Sequence, residues 1–310
     1  MSQRQIPVEL GARRYTVTVG EGTLRRLPEI LADLGGRRIV LVASRRVFGL
    51  HGAPVEKGLG KLGRVHVSLV PDGERYKGGK TLEGLYQAFL EARLGRDGLV
   101  VALGGGVVGD MAGYAAATYM RGVDWVGLPT TLLSMVDSSI GGKTGINHPT
   151  AKNLIGAFHQ PRAVVADPAV LETLPRRELR AGAYEVLKAA ILGDRDLFHH
   201  LAAAPEGLDG WAPADVETAI ASACAIKADV VERDEREGGL RRVLNLGHTL
   251  GHALEAHAME RGEDLGHGNA VAIGMAVVFR IAAERGACPV DAAVRMLSLI
   301  HISEPTRHDS

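Results

Sequence analysis

The sequence has little cysteine, no excess of charge of either sign and no long hydrophobic run. Its 310 residues include two cysteines, Cys224 and Cys288, which are too few for the disulfide framework of a small secreted protein. Lysine plus arginine and aspartate plus glutamate number 36 each, so no overall basic field attracts nucleic acid or an acidic membrane. The longest apolar run, residues 270–279, is far shorter than the ~20 residues of a transmembrane helix. We therefore expect a cytoplasmic protein with no nucleic-acid or membrane partner.

What the sequence does contain is typical of a globular protein, with 46% hydrophobic and 23% charged residues and room for two domains. Short β-branched runs alternate with helical stretches before Pro168, and this alternation favours a parallel-rich sheet covered by helices. The predicted strands are residues 8–10, 15–19, 38–43, 65–70, 99–103, 125–128 and 163–165. After Pro168 the spacing is helical. The sequence thus predicts an α/β domain over residues 1–170, an all-α domain over 171–296 and an atypical tail over 297–310.

A glycine-rich turn follows one predicted strand, where residues 99–103 run into Gly104-Gly-Gly-Val-Val-Gly109-Asp110. Gly104, Gly106 and Gly109 match the spacing of the dinucleotide fingerprint, which lets backbone amides approach a pyrophosphate at a helix N-terminus. A tight strand-to-helix turn without a ligand is the alternative. The turn follows about the fourth strand rather than the first. We expect a Rossmann-like dinucleotide site in a different topology.

Two further segments offer polar groups to a nucleotide. Glu74 can accept from ribose hydroxyls and Lys77 can meet a negative group, although a charged turn before a helix is the better explanation of this segment taken alone. Thr130 and Thr131 stand at a predicted helix start, where capping is the alternative role.

A second glycine-rich segment, residues 139–147, surrounds Lys143, and Lys152 and Asn153 follow it. Flexible backbone beside an ammonium suits a phosphate or a carboxylate. The segment is not a Walker loop, because Asp137 stands where that motif has its first glycine.

The metal candidates lie in the helical half. His248 and His252 are four residues apart, on one helical face, but Thr249 replaces the glutamate of a zincin motif. His267 begins an apolar helix, and Glu185 lies among apolar residues where an unpaired charge is costly. One glutamate with two histidines leaves an open position, as in catalytic zinc sites. Ordinary surface or core histidines are the alternative, and we expect that role for His199, His200 and His257.

Taken in order, these segments resemble the 3-dehydroquinate synthase family from about residue 5 to residue 290. The matching segments are GGGVVGD (104–110), YMRG (119–122), PTTLL (129–133), MVDSS (135–139), GKTGIN (142–147), AKNLIGAF (151–158), EVLK (185–188) and NLGHTLGH (245–252). The resemblance implies a dehydroquinate synthase-like fold, with an N-terminal NAD domain, a helical metal domain and the active site in the cleft.

The resemblance also assigns individual residues. It implies zinc or cobalt held by Glu185, His248 and His267. The positions that fall on NAD contacts are Glu74, Lys77, Gly105, Gly106, Val107, Asp110, Thr130, Thr131, Leu133, Lys143, Lys152, Thr173, Leu174 and Glu178. The positions that fall on substrate contacts are Arg121, Asp137, Lys143, Lys152, Asn153, Lys188, Lys227, Arg241, Asn245 and His252.

The implied enzyme is a phosphorus–oxygen lyase of the shikimate pathway of aromatic amino acid biosynthesis. It converts 3-deoxy-D-arabino-heptulosonate 7-phosphate to 3-dehydroquinate and phosphate. NAD takes a hydride, phosphate is eliminated, the hydride returns, and an intramolecular aldol reaction closes the carbocycle. Asn245 and His252 are candidates for proton handling, or His252 only orients a neighbouring group. The resemblance also implies a homodimer.

Three features depart from the family pattern. Ser44 stands where many relatives carry Asp or Asn for the adenosine ribose, and Asn269 replaces a frequent Glu after His267-Gly268. The helical half of relatives normally continues beyond Arg295 and supplies a late lysine to the substrate phosphate. We therefore expect residues 297–310 to be foreign to a truncated, poorly active chain, or else a natural divergent tail.

Three other functions stay open: another sugar-phosphate cyclase, a metal-dependent polyol dehydrogenase, or an inactive NAD-binding protein produced by truncation. Residues 142–147 favour dehydroquinate synthase over the other cyclases. A polyol dehydrogenase would accumulate NADH, whereas the cyclase regenerates NAD and releases phosphate.

Overall fold

A computed structural model describes residues 3–203, 211–263 and 265–302. The chain forms two compact units, Met1–Leu174 and Pro175–Ser310, and the junction lies four residues beyond the predicted limit at residue 170. Within the described ranges, no helix is both long and apolar enough to cross a membrane.

The first unit is built on a seven-stranded sheet in the order β1-β2-β9-β6-β5-β3-β4. Its strands are β1 (Arg4–Val8), β2 (Tyr15–Val19), β3 (Arg38–Ser44), β4 (Arg64–Val70), β5 (Leu99–Gly104), β6 (Asp124–Pro129) and β9 (Ala163–Ala166). Only the β1–β2 pair among them is antiparallel. Every residue of β5 is buried, as expected for a central parallel strand covered on both faces. The predicted parallel-rich sheet is confirmed, but β1 precedes the predicted 8–10 strand, because residues 11–13 form a 3₁₀ turn.

Five α-helices lie in the described part of this unit. They are α1 (Leu27–Ile30), α2 (Arg45–Val47), α3 (Ala53–Leu59), α4 (Gly79–Glu91) and α5 (Gly106–Thr118). Phe89 of α4 and Met111 of α5 are fully buried in a cluster that includes Val100 of β5, and burial of side chains this large stabilises by roughly 1.5–3 kcal/mol each.

A separate two-stranded sheet pairs β7 (Lys143–His148) with β8 (Ala151–Phe158). No strand was predicted for these residues, so the hairpin differs from the sequence prediction. Gly145 lies opposite Gly156 in the hairpin, and a Cβ on Gly145 would lie 2.6 Å from the carbonyl oxygen of Ile155. These glycines therefore allow close strand pairing.

The second unit is helical in its described parts. Its helices are α6 (Arg176–Gly193), α7 (Arg195–Ala203), α8 (Pro213–Arg233), α9 (His248–Glu260), α10 (His267–Glu284) and α11 (Val290–Ile302). Asp194 joins two of them, since its carboxylate accepts from the Leu197 amide at 2.9 Å and from the Ser222 hydroxyl at 2.5 Å. Of the atypical tail, residues 303–310 lie outside the described residues.

Candidate active site

The glycine-rich turn joins β5 to α5, with Gly105 as the N-cap residue. The turn needs small residues, because a Cβ on Gly104 would lie 2.7 Å from Val108 and one on Gly106 would lie 3.0 Å from the Ser138 hydroxyl. A Cβ on Gly109 would meet nothing within 4 Å. A pocket opens here, and its polar lining comes from Ser134, Ser138 and Ser139 beside Gly105 and Gly109.

The two threonines after β6 have different local roles. Thr131 caps the following helical segment, since the Ser134 amide donates to its hydroxyl at 3.1 Å and the Thr131 amide lies 3.2 Å from the Ser134 hydroxyl. This is a reciprocal cap. Thr130 is buried, and its amide donates to the Gly104 carbonyl at 3.0 Å, which ties it to the glycine-rich turn.

Lys77 is the centre of a polar network in the first unit. Its side chain is 5% exposed, and its ammonium donates to Asp110 Oδ2 at 2.6 Å and to Asn153 Oδ1 at 2.5 Å. Asp110 lies on the second turn of α5 and Asn153 on β8. Three predicted ligand-binding residues, distant in sequence, thus converge beside the glycine-rich turn.

Asn147 extends this network, although sequence reasoning gave it no role. Its side-chain Nδ2 donates to Glu74 Oε1 at 2.8 Å, and its side-chain Oδ1 accepts from the backbone amide of Asn153 at 2.8 Å. Its backbone amide donates to the Lys77 carbonyl at 2.8 Å. Asn147 therefore fixes the hairpin against the segment that carries Glu74 and Lys77. Asn147 ends the segment GKTGIN (142–147), which resembles the family, and that position could have indicated a functional role.

The electrostatics of this network raise the pKa of Asp110 above its ordinary value. Burial raises the pKa of Asp110 to about 6, although the Lys77 ammonium opposes the shift and the nearby Glu74 and Asp137 reinforce it. Desolvation thus outweighs the ion pair.

The remaining predicted residues of the first unit range from exposed to partly buried. Lys143, Lys152 and Arg121 are exposed, and Arg121 has a left-handed φ of 69°. The Thr173 hydroxyl lies 3.0 Å from His51 Nε2. Val107, Leu133 and Leu174 are partly buried.

Ser44 has a structural role. Its hydroxyl accepts from the Val47 amide at 3.3 Å and caps α2. The serine that replaces the Asp or Asn of many relatives therefore stabilises the start of this helix.

The second unit brings the predicted metal ligands together. Glu185 of α6, His248 of α9 and His267 of α10 offer one ligand atom each, all within 4.8 Å of one another. Glu185 is 2% exposed, and its Oε1 lies 3.9 Å from His267 Nε2. Lys188 is in ion-pair contact with Glu185 Oε2, whereas Oε1 has no hydrogen-bond donor among the described residues.

Close helix approach makes this convergence possible. A Cβ on Gly268 would lie 2.3 Å from the Ala181 carbonyl oxygen, and one on Gly274 would lie 2.0 Å from that of Gly247. The first contact draws α10 to α6, and the second draws it to the start of α9. Both distances are impossible for a real Cβ, so only glycine allows these approaches.

Three predicted substrate-binding cations are buried in this unit: Lys188, Lys227 and Arg241 are 3%, 8% and 2% exposed. Arg241 follows a turn that Asp234 organises, since the Asp234 carboxylate accepts from the amides of Gly238, Gly239 and Arg241 at 2.8, 2.8 and 2.9 Å. These hydrogen bonds lower the pKa of Asp234. Sequence reasoning missed Asp234.

The other predicted residues of this unit are exposed. Asn245 donates to Glu237 Oε1 at 3.0 Å, and His252 lies with its ring centroid 5.3 Å from that of His248. Glu178 is exposed on the first turn of α6. Asn269, which replaces a frequent Glu, donates to the Leu265 carbonyl at 2.9 Å and closes the turn before α10.

Known proteins match both units. Residues 67–181 match the family described as 3-dehydroquinate synthase N-terminal, and residues 182–309 match 3-dehydroquinate synthase C-terminal. The 3-dehydroquinate synthase of Thermosynechococcus vestitus is 48% identical over 303 residues, which are 95% of this chain and 82% of the relative. The chain belongs to the 3-dehydroquinate synthase family. The expected family, its lyase class and its fold are therefore confirmed.

Solved structures agree with this family. A 2-deoxy-scyllo-inosose synthase complexed with carbaglucose-6-phosphate, NAD+ and Co2+ has a TM-score of 0.87 at 27% identity, covering 100% of this chain and 84% of its own. The 2-epi-5-epi-valiolone synthase of Streptomyces hygroscopicus subsp. jinggangensis, with NAD+ and Zn2+ bound, has a TM-score of 0.85 at 30% identity, covering 95% and 81%. Both relatives bind the cofactor pair that the sequence predicts for this chain.

Proposed function

We propose that this protein is a 3-dehydroquinate synthase, which uses NAD and a divalent metal, Zn2+ or Co2+, to convert 3-deoxy-D-arabino-heptulosonate 7-phosphate to 3-dehydroquinate and phosphate. The observation that carries the proposal is the buried Glu185 carboxylate, which faces two imidazoles in a chain 48% identical to a 3-dehydroquinate synthase.

The donor set of Glu185, His248 and His267 fits a catalytic metal. Oε2 of the buried Glu185 carboxylate is paired with Lys188, but Oε1 has no hydrogen-bond donor among the described residues. That buried oxygen is costly to leave unpaired, and a cation would offset that cost. His248 Nδ1 lies 3.3 Å from the Leu246 carbonyl oxygen. Because a carbonyl only accepts, Nδ1 donates and Nε2 of the neutral ring keeps its lone pair. Three protein ligands leave one position for substrate.

The glycine-rich turn fits the pyrophosphate of NAD. The first amides of α5 point out of the helix N-terminus, where an anion is stabilised. The hydroxyl of Ser139 lines the same pocket, is buried, and has no hydrogen-bond partner within the described ranges. A bound phosphate oxygen would accept from it.

When bound, NAD would supply a hydride acceptor that later returns the hydride. The metal would supply a Lewis acid for a substrate hydroxyl. The chain's own residues would hold the substrate. Lys188, Lys227 and Arg241 are buried cations in a protein of zero net charge, and such cations favour a carboxylate or phosphate ligand.

Proton handling near the substrate is the proposed role of His252 and Asn245. His252 is exposed beside His248, and an imidazole exchanges protons near neutral pH. Asn245 can hydrogen-bond a substrate oxygen in either direction. Arg121, Asp137, Lys143, Lys152 and Asn153 are proposed substrate contacts from the first unit.

One assay tests the reaction. The heptulosonate phosphate is supplied with NAD and Co2+, and phosphate and NADH are followed together. We expect phosphate release without net NADH. Accumulating NADH would instead indicate a polyol dehydrogenase, and no phosphate would indicate another cyclase or an inactive NAD-binding protein.

A matched pair of variants links this activity to the candidate site. Glu185→Gln should reduce phosphate release at least 100-fold, since it removes the ligand charge. Glu284→Gln, on the exposed face of α10 beside Arg280, should leave it unchanged. Equal activity of both variants would contradict the proposed metal site.

The homodimer, the cytoplasmic location and the lack of a nucleic-acid partner stay predictions. Size-exclusion chromatography with light scattering would measure the first.

A further inference from the structure

Glu255 lies beside the predicted metal site and has no assigned role. It follows His248 by seven residues and His252 by three on α9, so it occupies their helical face. Its side chain is 11% exposed, and its Oε2 lies 3.0 Å from His267 Nδ1. A largely buried carboxylate thus contacts a predicted metal ligand on a different helix.

The two nitrogens of His267 face different partners. Nδ1 contacts Glu255, whereas Nε2 lies 3.9 Å from Glu185 Oε1. A carboxylate only accepts, so the hydrogen bond places a proton on Nδ1. In the neutral ring, Nε2 then keeps its lone pair on the side of Glu185.

We infer that Glu255 is a positioning residue for the metal: it orients the His267 ring, selects its tautomer and increases the basicity of Nε2. The inference rests on the proposed metal site. Carboxylate partners of metal-ligating histidines act in this way, and their loss typically weakens metal binding about 10–100-fold.

A second arrangement of the same groups makes a different prediction. One ligand atom from each of His252, Glu255 and His267 also lies within 4.8 Å of the others, which would suit a second cation. With Nε2 of His267 on the first ion, that cation would need Nδ1, the nitrogen already hydrogen-bonded to Glu255. The hydrogen bond and a second ion therefore exclude each other, and metal stoichiometry separates them.

The test uses Co2+, whose visible spectrum reports ligand geometry. Three variants of the full chain are compared with the parent: Glu255→Ala, Glu255→Gln and, as control, Glu260→Ala from the exposed end of α9. Co2+ affinity is measured by competition with a chromophoric chelator, together with the absorption spectrum and the number of ions bound. The helical signal in far-ultraviolet circular dichroism checks that each variant is folded.

We expect one ion per chain, about 10–100-fold weaker Co2+ binding in Glu255→Ala, and an altered spectrum. Glu255→Gln should recover the parent spectrum and part of the affinity, because its amide oxygen still accepts from Nδ1 without the charge. Glu260→Ala should match the parent.

Three results would overturn the inference. One is parent-like affinity and spectrum in Glu255→Ala. Another is two ions per chain, with one lost in that variant. The third is a Glu255→Gln variant as impaired as Glu255→Ala. Absence of Co2+ binding in the parent chain would instead contradict the proposed function.

Discussion

At the scale of single residues, the buried charges of the two units differ in how they are compensated. In the first unit, Lys77 has two acceptors, Asp110 and Asn153, within 2.6 Å. In the second, Lys188 pairs with Oε2 of Glu185, but Oε1 has no hydrogen-bond donor among the described residues. A buried ion pair whose remaining oxygen is unsatisfied rarely repays its desolvation. Lys77 therefore has acceptors within its own unit, whereas Oε1 of Glu185 favours a cation.

Asp110 gives a prediction about pH. Its folded pKa of about 6 exceeds the ordinary value of 3.8, so between these pH values the folded protein holds a proton that the unfolded chain has released. Stability then falls as pH rises through that window. Relative to the parent, Asp110→Asn should gain about 1–3 kcal/mol of unfolding free energy between pH 4 and pH 7.

Urea unfolding without NAD, at pH 4, 5, 6 and 7, measures this difference. The asparagine keeps an acceptor for Lys77, so the comparison isolates the titrating proton. A variant-minus-parent difference that stays constant, or that falls with pH, would contradict the prediction.

At the scale of elements, helix spacing decides whether the three metal ligands can converge. Glu185, His248 and His267 belong to three different helices, and the ligand atoms meet only because glycines permit backbone contact. Periodicity predicted helices for this half of the chain. It could not predict how close those helices lie, because interaxial distance depends on side chains at the contact.

Gly274→Ala tests this spacing. The new Cβ would lie 2.0 Å from the Gly247 carbonyl oxygen, so α10 must move away from the start of α9. We expect a loss of at least about 1–3 kcal/mol of stability, as in other overpacked cores, and Co2+ affinity at least 10-fold weaker. Thermal unfolding and chelator competition measure the two effects.

Gly84→Ala is the control, since it lies in the interior of α4 with nothing within 4 Å of the added Cβ. There the substitution should stabilise by about 0.5–1 kcal/mol, because alanine loses less backbone entropy than glycine. If both variants behaved alike, the proposed close approach would be wrong.

At the scale of the whole molecule, each proposed cofactor should stabilise the folded chain by mass action. A ligand at 100 times its Kd adds about 2.7 kcal/mol when it binds only the folded state. NAD and Co2+ should each raise the unfolding midpoint, and a chelator should reverse the Co2+ effect. Calorimetry with each ligand alone measures the shifts.

Glu185→Gln separates the two effects. It should abolish most of the Co2+-dependent shift and keep the NAD-dependent shift, which also shows that the variant is folded. Retention of the full Co2+ shift would mean that the ion binds elsewhere.

Much of the molecule was determined by the sequence itself. Short, continuous β-branched runs predicted six of the seven strands of the main sheet close to their observed positions, because strands buried on both faces are apolar throughout. The exception in that sheet is β1, which was displaced, and no strand was predicted for the separate β7–β8 hairpin. Ordered family segments led to the ligand candidates Glu185, His248 and His267.

Only the tertiary structure decided which side chains act together. The Lys77 network joins residues up to 76 positions apart in sequence, and the contact between Glu255 and His267 joins two helices. Sequence periodicity gives the face of each helix, but such contacts depend on how helices and strands pack in three dimensions. Desolvation is decided at the same level, so the raised pKa of Asp110 required the folded structure.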